Sequence, residues 1–291
     1  MSDVSVIGAG AMGSALVEVL AASGAEVMVW NRTATKAEAL SGPRVRVAQS
    51  AVEALTSSPL TIVSVSDHEV ARTLVETAGM DLAGRTVAST SPVDPDQARL
   101  VDTVVTAAGG GYLDLAIPRS DGQVRAGAGV FLVSGDRAAY DANRELFERV
   151  GTATYVDDAP GAAFVSGLAI VLAYLPMAVG LLQGLRICSH HDLPVEWFER
   201  TALDFYSFQI RSLLDQVTGR IDPSMGDEGS VDAMAQWAAE LADSLRAMGL
   251  DARMFDALRQ LFAAASDAGH GDADWTSVAE VQLPDVTPSS Q

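Results

Sequence analysis

"VSVIGAGAMGSALVEVLAASGAEVMVWNRTATK", Val4 to Lys36, decides the fold of this chain. Val4, Val6 and Ile7 form a short β-branched run of the kind found in a buried parallel strand. Gly8, Gly10 and Gly13 follow in G-x-G-x-x-G spacing, then a helical pattern of Ala15, Leu16, Val19 and Leu20 that stops at Gly24. A second strand runs from Glu26 to Trp30. In this strand–turn–helix–strand context the glycines have separate tasks. Gly8 makes the tight turn, Gly10 lets the backbone approach a pyrophosphate, and Gly13 lets the helix pack closely on the strand. Ala9, Ala11 and Met12 complete the turn, whose helix N-terminus faces the phosphate charge.

The end of the second strand selects between dinucleotides. An NAD site places Asp or Glu there to accept from the ribose 2′-OH. This chain has Asn31, Arg32 and Thr33, with Lys36 one turn on. Arg32 and Lys36 can neutralise a 2′-phosphate, and Asn31 and Thr33 can donate hydrogen bonds to it. No carboxylate sits there to repel it, so the stretch reads as an NADP(H) site.

At 291 residues the chain fits two domains. A formal net charge of -19 argues against nucleic acid or an anionic membrane as partner, since both demand a basic face. Arg32 and Lys36 must therefore be a local exception. The single cysteine, Cys188, excludes an internal disulfide and fits a reducing, cytoplasmic setting. No signal peptide is expected, because the chain enters its first strand almost at once. "GAAFVSGLAIVLAYLPMAVGLLQGLRI", Gly161 to Ile187, is apolar and uncharged until Arg186, long enough to cross a bilayer. Pro176 sits mid-run, and Asp157 and Asp158 rather than basic residues flank its N-terminal side. A long helix covered on all sides by protein has the same composition, and that is the expectation here.

After the first β-α-β unit, "LTIVSVSDHEV" predicts a strand, Thr61 to Val65, leading into Ser66, Asp67 and a helix. "RTVAST" predicts another strand, and Ser91-Pro92 opens a helix. "GGGYLDLAI", "GVFLVSG" and "ATYVDD" supply three more strands, with a helix from about Ala138 to Arg149 before the last. This alternation is the doubly wound α/β pattern. From Gly161 onward strands vanish and the chain is helical to about residue 280. The expected domains are 1–160, binding NADP(H), and 161–291, a long helix plus a helical unit. No metal site is expected. His190 and His191 are adjacent, so on a helix they diverge by about 100° and cannot chelate together. His270 suits a structural place at a helix end better than a catalytic one.

Several stretches resemble the β-hydroxyacid dehydrogenases and, within that superfamily, the imine reductases. "VSVIGAGAMGSAL" with "VWNRTATKAEAL" is similar to the imine-reductase cofactor segment, "STSPVDPDQAR" to the nicotinamide-side loop with Ser89 and Ser91, and "YLDLAIP" with "GAGVFLVSGDRAAYD" to the segment lining the hydride-transfer site. "AGHGDADWTSVAEV" resembles imine reductases more than hydroxyacid dehydrogenases. The resemblance implies an N-terminal Rossmann domain, a long interdomain helix and an all-α C-terminal domain. It also implies a homodimer with interlocked helical domains, in which Met234 and Trp237 approach the partner's nicotinamide.

Two polar anchors of the family are missing. Counting from Gly161 to the position of the catalytic Lys of hydroxyacid dehydrogenases, where many imine reductases have Asp or Tyr, lands on Gly167. The loop Asn of some imine reductases aligns with Pro92. The nearest replacement is Tyr174, nearly two helical turns on and on the same face, as proton donor or orienter or else as a core tyrosine. Ser91, Ser120 and Asp121 are further polar candidates beside Ile117 in the pocket segment. Arg119 either pairs with a substrate carboxylate or is an ordinary surface arginine. Alcohol oxidation needs a group to move the proton at oxygen, so Gly167 argues against it. A protonated imine already carries its proton, and hydride transfer to it needs mainly positioning. The expectation is NADPH-dependent reduction, by hydride transfer, of the C=N bond of a cyclic imine or iminium ion or of a related small molecule. The alternatives are a hydroxyacid-type dehydrogenase and an NADP(H)-binding protein without turnover.

Overall fold

The structure is a computed structural model and describes residues 2–65, 68–78, 82–90, 94–218 and 229–282. Eight strands form one sheet: β1 (Val4–Ile7), β2 (Val27–Trp30), β3 (Val45–Val47), β4 (Leu60–Val63), β5 (Thr86–Ser89), β6 (Gly111–Ala116), β7 (Gly129–Gly135) and β8 (Gly151–Asp157). Their order across the sheet is β3-β2-β1-β4-β5-β6-β7-β8. The pairs from β3 through β6 are parallel, β7 runs antiparallel to β6, and β8 is parallel to β7. Helices α1 (Ala11–Ala22), α2 (Ala34–Glu38), α3 (Ala51–Ser57), α4 (His68–Ala78), α5 (Pro95–Ala107), α6 (Asp121–Arg125) and α7 (Arg137–Glu148) connect the strands.

The strands are apolar on both faces because helices cover both. Val4, Val6, Val29, Leu113 and Phe131 pack with Leu16 and Leu20 of α1 on one side. Ile7, Val63, Val87 and Tyr112 pack with Leu55 of α3 and Val101 of α5 on the other. β1 lies between β2 and β4, so the winding reverses there and the carboxyl ends of these strands open a crevice, the usual ligand position in such sheets.

Four more helices follow among the described residues: α8 (Ala162–His190), α9 (Val195–Val217), α10 (Val231–Ala247) and α11 (Arg253–Ala265). A π-helical turn over Ser266–His270 and a 3-10 helix over Trp275–Val281 end the described chain. By contacts the chain divides into two compact units, Met1–Leu182 and Gln183–Gln291, with α8 running from the first into the second. In the second unit Val231, Phe262 and Ala265 form a small core with Trp275 and Val278, and Ala242, Leu245 and Ala252 form another with Ile187 and Met248.

A single chain does not bury α8. In its most apolar 18-residue window 6% of the residues are buried, and Leu168, Ile170, Leu172, Leu175 and Leu182 are exposed. α9 has no buried residue, and Trp197, Leu203, Phe205, Phe208 and Leu214 are exposed along it. By length and composition α8 could cross a membrane.

Candidate active site

The glycine loop after β1 is built as its spacing requires. Gly8 has φ +107°, and a Cβ there would lie 2.1 Å from the Ser64 carbonyl oxygen at the end of β4. A Cβ on Gly13 would lie 1.9 Å from the Gly8 carbonyl oxygen, so α1 can approach β1 only as glycine. A Cβ on Gly10 would meet nothing within 4 Å. The loop is closed on two sides and open on the third, where an anion can reach the backbone. Gly10 caps α1 without a side-chain hydrogen bond, and no acidic residue stands in the first turn of α1.

Two adjoining cavities lie along the carboxyl ends of the strands. One, of about 500 Å³, is lined by Gly8, Gly10, Trp30, Asn31, Arg32, Thr33, Lys36, Ser64, Val65 and Leu74. The other, of about 320 Å³, is lined by Gly10, Ala11, Met12, Gly13, Ser64, Val65, Thr90 and Ile117. Asn31 ties the end of β2 to the loop: its Oδ1 accepts from the Ala9 amide at 3.0 Å and its Nδ2 donates to the Thr33 carbonyl at 2.9 Å. Part of its hydrogen-bonding capacity is therefore spent on the protein itself. Arg32 and Lys36 are exposed, and neither side chain makes a hydrogen bond or ion pair among the described residues. Unpaired cations on a chain of net charge -19 are the feature an NADP 2′-phosphate needs.

The structure thus gathers Gly8, Gly10, Ala11, Met12, Asn31, Arg32, Thr33, Lys36, Val65 and Ile117 around one crevice. Ser89 is buried in the sheet, and the next residue, Thr90, lines the cavity. Ser66, Asp67, Ser91 and Pro92 lie outside the described residues. Trp30, Ser64, Leu74 and Thr90 escaped the sequence reading. Ser64 and Thr90 directly follow β4 and β5, so the exact strand ends were the signal that would have found them.

The other candidates are placed differently. Gly167 is buried on α8, where an added Cβ would lie 2.9 Å from the Ala116 Cβ on β6. The glycine serves close helix–strand packing. Tyr174, further along α8, is 55% exposed in the single chain and is therefore not a core tyrosine of one chain. Ser120 caps α6, accepting from the Gln123 amide at 3.3 Å while the Gln123 side chain accepts from the Ser120 amide at 3.0 Å. Asp121 pairs with Arg125, which also reaches Glu18 of α1 at 2.7 Å. Arg119 is exposed, and among the described residues its side chain has no partner. In the second unit Met234 packs against the Val231–Phe262 core, and Trp237 is 57% exposed on α10.

One buried acid was missed altogether. Asp114 on β6 is 1% exposed and accepts from the Phe164 amide of α8 at 3.1 Å. Burial pushes its carboxyl up to about 6, against hydrogen bonds from the Phe164 and Gly161 backbone and from Ser134.

A glycine loop open to an anion, free cations at the end of β2 and a crevice at the switch point define a dinucleotide-binding α/β unit, here followed by a helical unit. Residues 3–158 match the family model described as the NAD binding domain of 6-phosphogluconate dehydrogenase. Residues 159–283 match that described as the NADPH-dependent reductive aminase-like C-terminal domain. The chain is 28% identical over 192 residues to the cytokine-like nuclear factor N-PAC of Anopheles gambiae, covering 62% of this chain and 34% of that one. It therefore spans about a third of the length of that relative. It is 26% identical over 194 residues to the NADPH-dependent reductive aminase of Aspergillus oryzae, covering 63% of each. A solved imine reductase of Streptomyces aurantiacus superposes with a TM-score of 0.86 at 25% identity, covering 97% of this chain and 100% of that one. The chain belongs to the family of the NAD binding domain of 6-phosphogluconate dehydrogenase, and its helical part matches the NADPH-dependent reductive aminase-like C-terminal domain.

Proposed function

We propose that the protein is an NADPH-dependent oxidoreductase that reduces the C=N bond of a small imine or iminium ion, a cyclic imine being the substrate class. The observation that carries this reading is the pair of unpartnered cations, Arg32 and Lys36, in a crevice continuous with the open Gly10 turn. The residues present fit the cofactor. The α1 N-terminus and Gly10 would hold the pyrophosphate, Arg32 and Lys36 the 2′-phosphate, and Thr90, Val65 and Ile117 would line the nicotinamide end. When bound, NADPH supplies the hydride. The chain's own work is then to orient the C=N carbon, exclude water and tolerate a cation.

Gly167 supports this chemistry over carbonyl chemistry, because its packing against Ala116 leaves no acid or base at that position. Tyr174 is the proposed group that orients the nitrogen or hands it a proton. The apolar faces of α8 and α9 support a homodimer in which a second copy covers them, bringing Met234 and Trp237 to the partner's site. An acidic, cytoplasmic enzyme of this kind needs neither metal nor nucleic acid. Incubation with NADPH and a simple cyclic imine is expected to yield the amine, identified by mass. Oxidation of a hydroxyacid with NADP⁺ and no amine from the imine would refute the proposal in favour of a dehydrogenase. NADPH binding without either turnover would favour a pure binding protein.

A further inference from the structure

The first turn of α8 is capped from the sheet. Its preceding residues satisfy only the Ala162 amide, through the Ala159 carbonyl at 3.1 Å, since the Asp157 side chain is taken by the Ala159 amide at 2.8 Å and Gly161, at φ +94°, is pressed against Pro95 at the start of α5. The Ala163 amide instead donates to the Ser134 hydroxyl of β7 at 3.0 Å, and the Phe164 amide to Asp114 of β6 at 3.1 Å. Ser134 and Asp114 are register partners across β6 and β7, and Ser89 of β5 is the register partner of Asp114 on the other side. All three side chains are buried. Asp114 stands two residues before Ala116, which meets Gly167, and three before Ile117, which lines the inner cavity.

We propose that Asp114 is a positioning residue for the reaction: with Ser134 it seats the first turn of α8 on β6 and β7, and so sets the packing of Gly167 on Ala116 beside the cavity. This rests on the imine-reduction reading for its effect on turnover, while the seating itself does not. Burial in the fold raises the Asp114 carboxyl to about 6, while the hydrogen bonds from the Phe164 and Gly161 backbone at the start of α8 pull it back down. The seat is therefore a hydrogen-bonding one, made by an acceptor that Asn keeps and Ala removes. The ionisable groups coupled to this face are Tyr112, two residues back on β6, and Asp102 of α5. The Tyr112 phenol is held well above its usual range by burial and by these two carboxylates, with the Ser89 hydroxyl pulling the other way, so it stays neutral.

Amide hydrogen exchange on the full chain reads the seat directly. The protection factors of the Ala163 and Phe164 amides are expected to fall by about tenfold or more in Asp114→Ala, which removes the acceptor. In Asp114→Asn, which keeps it, they are expected to stay near those of the unaltered chain. The kcat for reduction of a permanently charged iminium ion should fall about tenfold in Asp114→Ala and be rescued in Asp114→Asn, with the KM for NADPH unchanged in both. Unchanged protection in Asp114→Ala overturns the proposal, and should that variant fail to fold, Ser134→Ala, which removes the Ala163 acceptor alone, must lower Ala163 protection or overturn it. Equal kcat in the unaltered protein and both Asp114 variants overturns it too. If no iminium ion is reduced at any pH, the functional reading fails and exchange alone decides the role of Asp114.

Discussion

Arg32 shows how one side chain can set a cofactor preference. It is exposed and unpaired, so its charge is available to a 2′-phosphate without breaking a native contact. Arg32→Ala should weaken NADPH binding by about 1.5–3 kcal/mol and leave NADH nearly unchanged, which titration of both cofactors measures. Equal affinity of the unaltered protein for the two would contradict the assignment. Gly167 makes the opposite point. Restoring an acid with Gly167→Asp should cost about 1–3 kcal/mol in chemical denaturation, because the new Cβ would stand 2.9 Å from Ala116 Cβ. Tyr174→Phe should slow reduction of a neutral imine by about 10²-fold while sparing a permanently charged iminium ion. Equal losses would mark a packing defect. The pocket glycines and Arg32 were legible because spacing along one strand–turn–helix unit specifies them. Asp114 was not, since its partners lie 20 and 50 residues away in the chain and nothing local marks it as a cap.

At the scale of elements, apolar runs bounded by turn residues announced seven of the eight strands. β3 was missed because three residues, Val45–Val47, leave too short a pattern to read. The antiparallel turn from β6 to β7 was also invisible, since a doubly covered strand has the same composition in either direction. Burying Asp114 in the sheet has a measurable, pH-dependent cost. Asp114 moves from about 3.8 in the unfolded chain to about 6 in the fold, so the folded state binds the proton more tightly. Its contribution to stability is full below pH 3.8 and is lost as pH rises through about 6, in all about 3 kcal/mol. Denaturation midpoints across that range should therefore decline less steeply with pH in Asp114→Asn than in the unaltered protein. Identical slopes would mean that burial does not govern this carboxyl.

The whole molecule is where a single chain falls short. The composition of α8 predicts a helix surrounded by protein, yet one chain leaves Leu172 62% and Leu182 63% exposed, and Phe208 of α9 69%. A homodimer burying more than about 2,000 Å² would account for all of these. Light scattering should find that dimer at micromolar concentration, and a stable folded monomer would contradict it. The central claim, hydride delivery from the nicotinamide to a C=N carbon, has a more direct test. NADPH deuterated at its transferable position should give an amine carrying about one deuterium at the former imine carbon. Amine without deuterium from either face of the labelled cofactor, or no amine while NADPH stays bound, would contradict the account.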